Sequence, residues 1–330
     1  MYCNLSGRSF IAACFFIALS TAAQAAELVA ARFGKGDVAI SGSVDYLNLL
    51  GDEQVYYGPK DSRLLSRLFW DTSSAAGLTG NVRYGFTDQL SVYGSATIGF
   101  LANSYMTDYD WRARDTFGID DWTDRSQHPD TALDHYYALD IGARFTVLQN
   151  SDRDFGVIGG VRYTDVKWSA RGGDYVYSGC TSFPDDCYFR EDIGNFPDGQ
   201  PGITYQQKLP AYYTGIAGSI DQGLWTFDGA LKIGATVGAR DIDHHWQRDI
   251  LFLGDFKPGL YLGVSANANY RVKENVRLSF GFSYDHYGLV KGSVTTYSIA
   301  TGEFSGFEPA NSGGAALRAL RLSAGLNAKF

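Results

Sequence analysis

Apolar and polar residues alternate along most of this chain with a period of two. Over residues 90–100, Leu90, Val92, Gly94, Ala96, Ile98 and Phe100 share one parity, and Ser91, Tyr93, Ser95, Thr97 and Gly99 hold the other. Side chains in an extended segment point alternately to its two faces, so this pattern predicts a strand with one apolar and one small polar face. The same alternation returns in Leu260–Tyr270, in Val276–Asp285 and in Leu320–Phe330.

The spacing of the connections separates two kinds of all-β protein. Short turns are expected near residues 87–89, 150–152, 221–223 and 273–275, and longer polar stretches near 50–66, 104–134, 170–204, 241–256 and 286–315. Short and long alternate without a break. A soluble sandwich or lipocalin-like barrel would also alternate, but with shorter strands and its apolar face inward. Long strands, a small polar face suited to a lumen, and asymmetric connections predict a ten-stranded antiparallel transmembrane β-barrel, with five long extracellular loops, four short periplasmic turns and both ends in the periplasm. Several strands exceed the roughly 9–11 residues needed to cross a bilayer, so the barrel should project above it. The aromatic Phe330 ends the last strand, as in the C-terminal signature by which outer-membrane barrels are recognised for assembly.

Composition agrees. The 330 residues include 39 Gly, 22 Tyr and 21 Phe but only 2 Met, and 19% are charged. A net charge of -8 gives a nucleic-acid role no electrostatic support. Residues 1–25 read as a cleaved signal peptide: Arg8, an apolar run from Phe10 to Leu19, then Ala23-Gln24-Ala25. Residues 26–330 then form one barrel domain, on the outer membrane of a Gram-negative cell. Cys3 and Cys14 leave with the signal. Cys180 and Cys187 share one polar segment and are expected to form a local structural disulfide in an oxidising compartment.

Two short patterns carry candidate chemistry: Asp108-Tyr109-Asp110-Trp111 and Asp241-Ile242-Asp243-His244-His245-Trp246, each placed just after a strand, ending near Ser104 and Arg240. Residues two apart share a side, so Asp108 pairs with Asp110, and Asp243 with His245, Asp241 lying in line below. Close carboxylates resist ionising together, and a carboxylate beside an imidazole orients it. A water between the pairs could attack a peptide carbonyl. Spacing alone equally allows solvated loop acids, or an Asp-x-Asp cation ligand without a full Ca²⁺ loop. His128 and His135, in the second long loop, read as surface histidines. There is no Gly-x-Ser-x-Gly, His-Glu-x-x-His or Walker-type motif.

At these residues the chain resembles the omptin family of outer-membrane proteases. Asp108–Trp111 matches its Asp-x-Asp-Trp segment, Trp122–Thr131 its Trp-Thr-Asp-x-Ser-x-His-Pro stretch, and Asp241–Trp246 its Asp-x-Asp-x-His-aromatic segment. Ala170–Gly173 with Tyr175, and Asp192–Gly199, resemble its third-loop signature. The resemblance implies an endopeptidase with catalytic Asp108, Asp110, Asp243 and His245, His245 acting as general base and Asp243 as its orienter. It implies attack by water, without an acyl-enzyme intermediate or a catalytic metal, at a site facing the exterior. Glu53 and Asp241 match the acids of its substrate pocket, implying polypeptide substrates cleaved beside Arg or Lys.

The resemblance also implies no cofactor, but lipopolysaccharide as a partner and activator, with Lys208 and Lys257 where two of the basic contacts belong. Departures stand against that site: Asp165 occupies an expected arginine position, and Tyr163 that of an acidic partner. His244 replaces an expected acid, and its parity points it outward. The alternative to an enzyme is a surface adhesin or plasminogen-binding barrel, supported by large aromatic loops. A porin is disfavoured because ten strands enclose a lumen largely filled by side chains.

Overall fold

The computed structural model describes residues 33–58, 61–112, 120–179 and 189–330. The segment read as a signal peptide lies outside the described residues, and so do all four cysteines, with the disulfide expected between Cys180 and Cys187.

The strands are β1 (Val38–Gly58), β2 (Asp61–Gly85), β3 (Leu90–Asp110), β4 (Asp124–Gln149), β5 (Arg153–Arg171), β6 (Asp174–Tyr177), β7 (Asp192–Asn195), β8 (Pro201–Gln222), β9 (Trp225–Thr236), β10 (Arg240–His245), β11 (Ile250–Phe256), β12 (Gly259–Lys273), β13 (Val276–Ser298) and β14 (Phe304–Lys329). Ten of them make an antiparallel ring, in the order β1-β2-β3-β4-β5-β8-β9-β12-β13-β14, and β14 pairs with β1 from Ala39↔Lys329 upward to close it. The hairpin β10–β11 continues the wall above β9 and β12, between β8 and β13. The hairpin β6–β7 extends it beside β4.

Closure leaves no open edge in the wall, as a bilayer-spanning sheet requires. The apolar parity faces outward around the lower half: Val44, Leu78, Ile141, Ile216, Leu231 and Leu326 are all exposed there. The lower lumen is polar and cross-linked. Asp140 receives Lys232 Nζ at 2.5 Å and Tyr213 Oη at 2.5 Å, and Arg162 meets Asp285 at 2.7 Å.

Above this network, side chains fill the cylinder. Trp70 stacks between Trp168 and Tyr205, with centroids 6.0 and 5.5 Å away, and all three are fully buried. Gly51 faces Trp168: a Cβ there would sit 2.9 Å from the indole, so only glycine lets the ring lie flat. The packed layer agrees with the filled lumen expected of ten strands.

Strand boundaries differ from the sequence reading. Most stretches read as loops are strand continuing beyond the apolar band; β13 and β14, for example, run on to Ser298 and back from Phe304. Once the outer face leaves lipid, both faces become polar, and the alternation that marks a strand fades while the ladder persists. The Asp-x-Asp and Asp-x-His patterns therefore lie within β3 and β10, not after them.

A bulge sets which way the first pattern faces. Ile98 and Phe100 point outward, yet Ser104 and Met106, of the same parity, are buried inside. Between them Leu101 has φ 52°, and the pairing with β2 is irregular there, slipping on either side of Ser74. The irregularity reverses the side-chain sense. Without it, Asp108 and Asp110 would point outward.

Candidate active site

Above the aromatic layer the barrel mouth opens as a cleft of about 780 Å³. Its walls carry Glu53, Asp108, Asp110, Asp241, Asp243 and His245 together. Asp108 lies eight residues beyond Phe100 of the apolar band, roughly 25 Å along the strand at about 3.3 Å per residue. The site is thus clear of the lipid-facing zone, at the end opposite the short turns.

Register fixes the levels. Leu68 of β2 pairs with Glu53 on one side and Asp108 on the other, so these two acids face the cleft at one height. Two residues higher, Ser66 pairs with Asp110, and its hydroxyl donates to Asp108 Oδ1 at 3.0 Å. On the opposite wall, β10 presents Asp241, Asp243 and His245 in ascending order on its inner face.

His245 Nε2 donates to Asp243 Oδ2 at 2.7 Å, and Phe252 packs edge-on against the ring at 5.2 Å. That bond fixes the tautomer and leaves Nδ1 as the basic nitrogen. Asp243 Oδ1 is buried without a hydrogen-bond partner. A buried carboxylate oxygen without a donor is costly, and here it lines the cleft where a water or a substrate group would supply one.

Burial dominates the electrostatics of the acids. Desolvation, then the neighbouring Asp110, holds the Asp108 carboxyl well above the usual carboxylate range. Desolvation pushes Asp110 up to about 6. Glu53 is raised by burial and then by Asp243 and Asp241, although Trp70 Nε1 donates to it at 3.3 Å. Asp241 is pushed up to about 7 by burial and then Asp243, despite donors from Tyr205 Oη at 3.1 Å and Gly254 N at 2.9 Å. At pH 7 the cleft therefore holds protons on some of its acids.

These raised values tie the site to stability. A native carboxyl that keeps its proton above the unfolded pKa makes folding weaken as pH rises through the folded pKa. We expect the urea midpoint in micelles to fall between pH 4 and pH 8. Asp108→Asn should match wild type at pH 4 and exceed it at pH 8. A variant less stable than wild type at pH 8 would contradict the burial argument.

Other residues found their places in ways the sequence did not show. His128, read as a surface histidine, is 3% exposed and lines the cleft, its ring between Gly172 O at 2.6 Å and Ser126 Oγ at 2.9 Å. His135 lies on the outer wall against Asp165 at 2.8 Å. His244 faces away from the cleft and stacks on Trp246 at 5.1 Å, as its parity predicts. Lys208 and Lys257 both point to the outer wall; Lys208 stands opposite Asp165 in the β5–β8 ladder, and Lys257 Nζ reaches Asn311 Oδ1 at 3.5 Å. The Asp165 carboxylate also takes Gln206 Nε2 at 2.7 Å and Tyr163 Oη at 3.2 Å. Sequence reasoning missed Arg112, Asp124 and Arg248 on the cleft wall; no motif logic marks them beyond the segment containing Asp124.

Fold and site together define a closed ten-stranded barrel whose one mouth holds a water-accessible cluster of buried acids and an oriented imidazole. The chain belongs to the omptin family, whose model matches residues 34–330. It is 30% identical to Protease 7 of Escherichia coli O157:H7 over 74% of this chain and 76% of that protein, and 28% identical to the plasminogen activator of Yersinia pestis over 76% of each. The crystal structure of the outer membrane protease OmpT from Escherichia coli superimposes with a TM-score of 0.81 at 25% identity, covering 89% of this chain and 97% of that one.

Proposed function

We propose that this protein is an outer-membrane endopeptidase that cleaves exposed polypeptides beside Arg or Lys, with its cleft facing the cell exterior. One observation carries the reading: two acid pairs and an imidazole, from opposite walls, line one cleft, with His245 Nε2 bonded to Asp243 at 2.7 Å. Family membership and the protease names of the relatives support the reaction class. The outward orientation is supported by the barrel's asymmetry, since β1 begins and β14 ends at the short-turn end, where Val38 and Phe330 are hydrogen-bonded to each other.

In this reading His245 Nδ1 takes a proton from a water as its oxygen attacks the scissile carbonyl carbon. Asp243 stabilises the imidazolium, which then protonates the departing amine. Asp110, largely ionised at neutral pH, orients the water, while protonated Asp108 donates a hydrogen bond into the site. Water is the nucleophile, so no covalent intermediate forms on the protein. Glu53 and Asp241 receive the basic side chain.

Lipopolysaccharide is proposed as an activator held at the outer wall by Lys208 and Lys257. Asp165 in that wall opposes phosphate binding, so the dependence should be weak. Refolded protein and a fluorogenic peptide with a central Arg-Arg, assayed with and without lipopolysaccharide, test the reading. We expect cleavage at the arginines in both conditions, faster with the lipid. No cleavage in either condition rules out the endopeptidase.

A further inference from the structure

The charged residues that line the cleft are mostly acids, and its two arginines are held in different ways. Arg112 is committed: Nε donates to Asp124 Oδ2 at 2.6 Å, and the guanidinium also binds Asp124 Oδ1 and Ser178 O at 2.8 Å. Asp124 is closed off in turn by Thr123 Oγ1 and the Ser178 amide. That pair is structural and neutral.

Arg248 is different. It is exposed at the lip, lines the cleft, and forms no ion pair with any carboxylate of the described residues. Its guanidinium carbon lies 6.0 Å from the centre of the Phe252 ring, which itself packs against His245. The guanidinium therefore hangs beside the proposed water site, near enough to draw down both Asp108 and Asp110.

Its position is built, not incidental. The 3-10 turn Trp246–Arg248 follows β10, and Asp249 then reverses the chain with φ 54°. The Asp249 carboxylate accepts Ser298 Oγ at 2.7 Å and Ala300 N at 2.8 Å, pinning this tip to the end of β13. An unpaired arginine on an anchored turn, facing a cleft whose floor takes the opposite charge, is pre-organised for an anion.

We propose that Arg248 is a specificity-determining residue that selects an acidic side chain within three residues of the scissile bond. The inference rests on the endopeptidase reading. A substrate chain laid through the mouth puts its basic residue down toward Glu53 and Asp241, and a flanking carboxylate then meets Arg248 at the lip. A second basic residue at that position is repelled.

The test is a peptide set with Arg at the cleaved position, scanning Asp, Ala and Lys through the three positions on either side. For wild type we expect one position at which Asp exceeds Ala in kcat/KM by roughly fivefold, the scale of a partly exposed charge pair. The preference should shrink as NaCl is raised. Arg248→Ala should abolish it, and Arg248→Glu should reverse it in favour of Lys at the same position, while both variants keep the choice of Arg over Gln at the cleaved position. A wild-type positional profile in Arg248→Glu overturns the proposal. A wild type that cleaves none of the peptides overturns the endopeptidase reading and this inference with it.

Discussion

Replacing His245 with alanine should lower kcat by roughly 10²- to 10⁴-fold, the usual worth of a positioned general base, with KM little changed. In the proposed reaction the imidazole only takes a proton from the water and passes it to the departing amine, so its loss acts on the transition state and not on substrate binding. Folding should survive, because the ring lies at the cleft wall, away from the aromatic layer that packs the cylinder. Asp243→Asn should fall in the same range. Its Oδ2 accepts the Nε2 proton at 2.7 Å, and an amide there removes the anion that stabilises the imidazolium. The double variant should be little worse than either single one, since the two groups act as a unit. Steady-state kinetics on the Arg-Arg peptide decide this. A His245→Ala protein that retains wild-type kcat removes imidazole base catalysis from consideration.

How much of this was legible in the sequence depends on which physical rule governed each residue. The barrel followed from period-two alternation and the alternation of short and long connections, because lipid outside and polar side chains inside impose that pattern residue by residue. It faded above the bilayer. There Glu53 sits in a region that reads as a charged loop, yet it is 5% exposed inside a strand.

The side of each acid was less legible than its spacing. Asp108 and Asp110 share the parity of Phe100, and only the bulge at Leu101 turns them inward. No residue there, not even a glycine, advertises a positive φ. The β10 acids had no such complication, and His244 fell outside as its parity requires. His128 is not legible as a cleft residue, because a histidine in a polar stretch reads as solvated. Its burial depends on Gly172 O and Ser126 Oγ, brought to it by folding. Arg248 was silent for a similar reason: an arginine is noteworthy only once its lack of a carboxylate partner is visible.

The second large effect concerns the floor of the cleft. Glu53→Gln combined with Asp241→Asn should reduce kcat/KM for an arginine substrate by about 10²- to 10³-fold, in line with losing a desolvated charge pair. Activity toward an otherwise identical glutamine peptide should change little, so the Arg-to-Gln selectivity collapses. Both carboxyls are buried beside Asp243, and both are raised for that reason. The empty pocket therefore keeps protons that an incoming guanidinium must displace. It follows that arginine cleavage should strengthen as pH rises through about 7, where Asp241 ionises, and weaken as pH falls below it. Asp241→Asn alone should flatten that rise and leave any dependence set by Asp110, near 6. Binding should also release protons, visible as buffer-dependent heat when an uncleaved arginine peptide is titrated into Asp108→Asn protein at pH 7. Unchanged arginine selectivity in the double variant would assign recognition to some other part of the cleft, and heat independent of the buffer would mean that both acids are already ionised before substrate arrives.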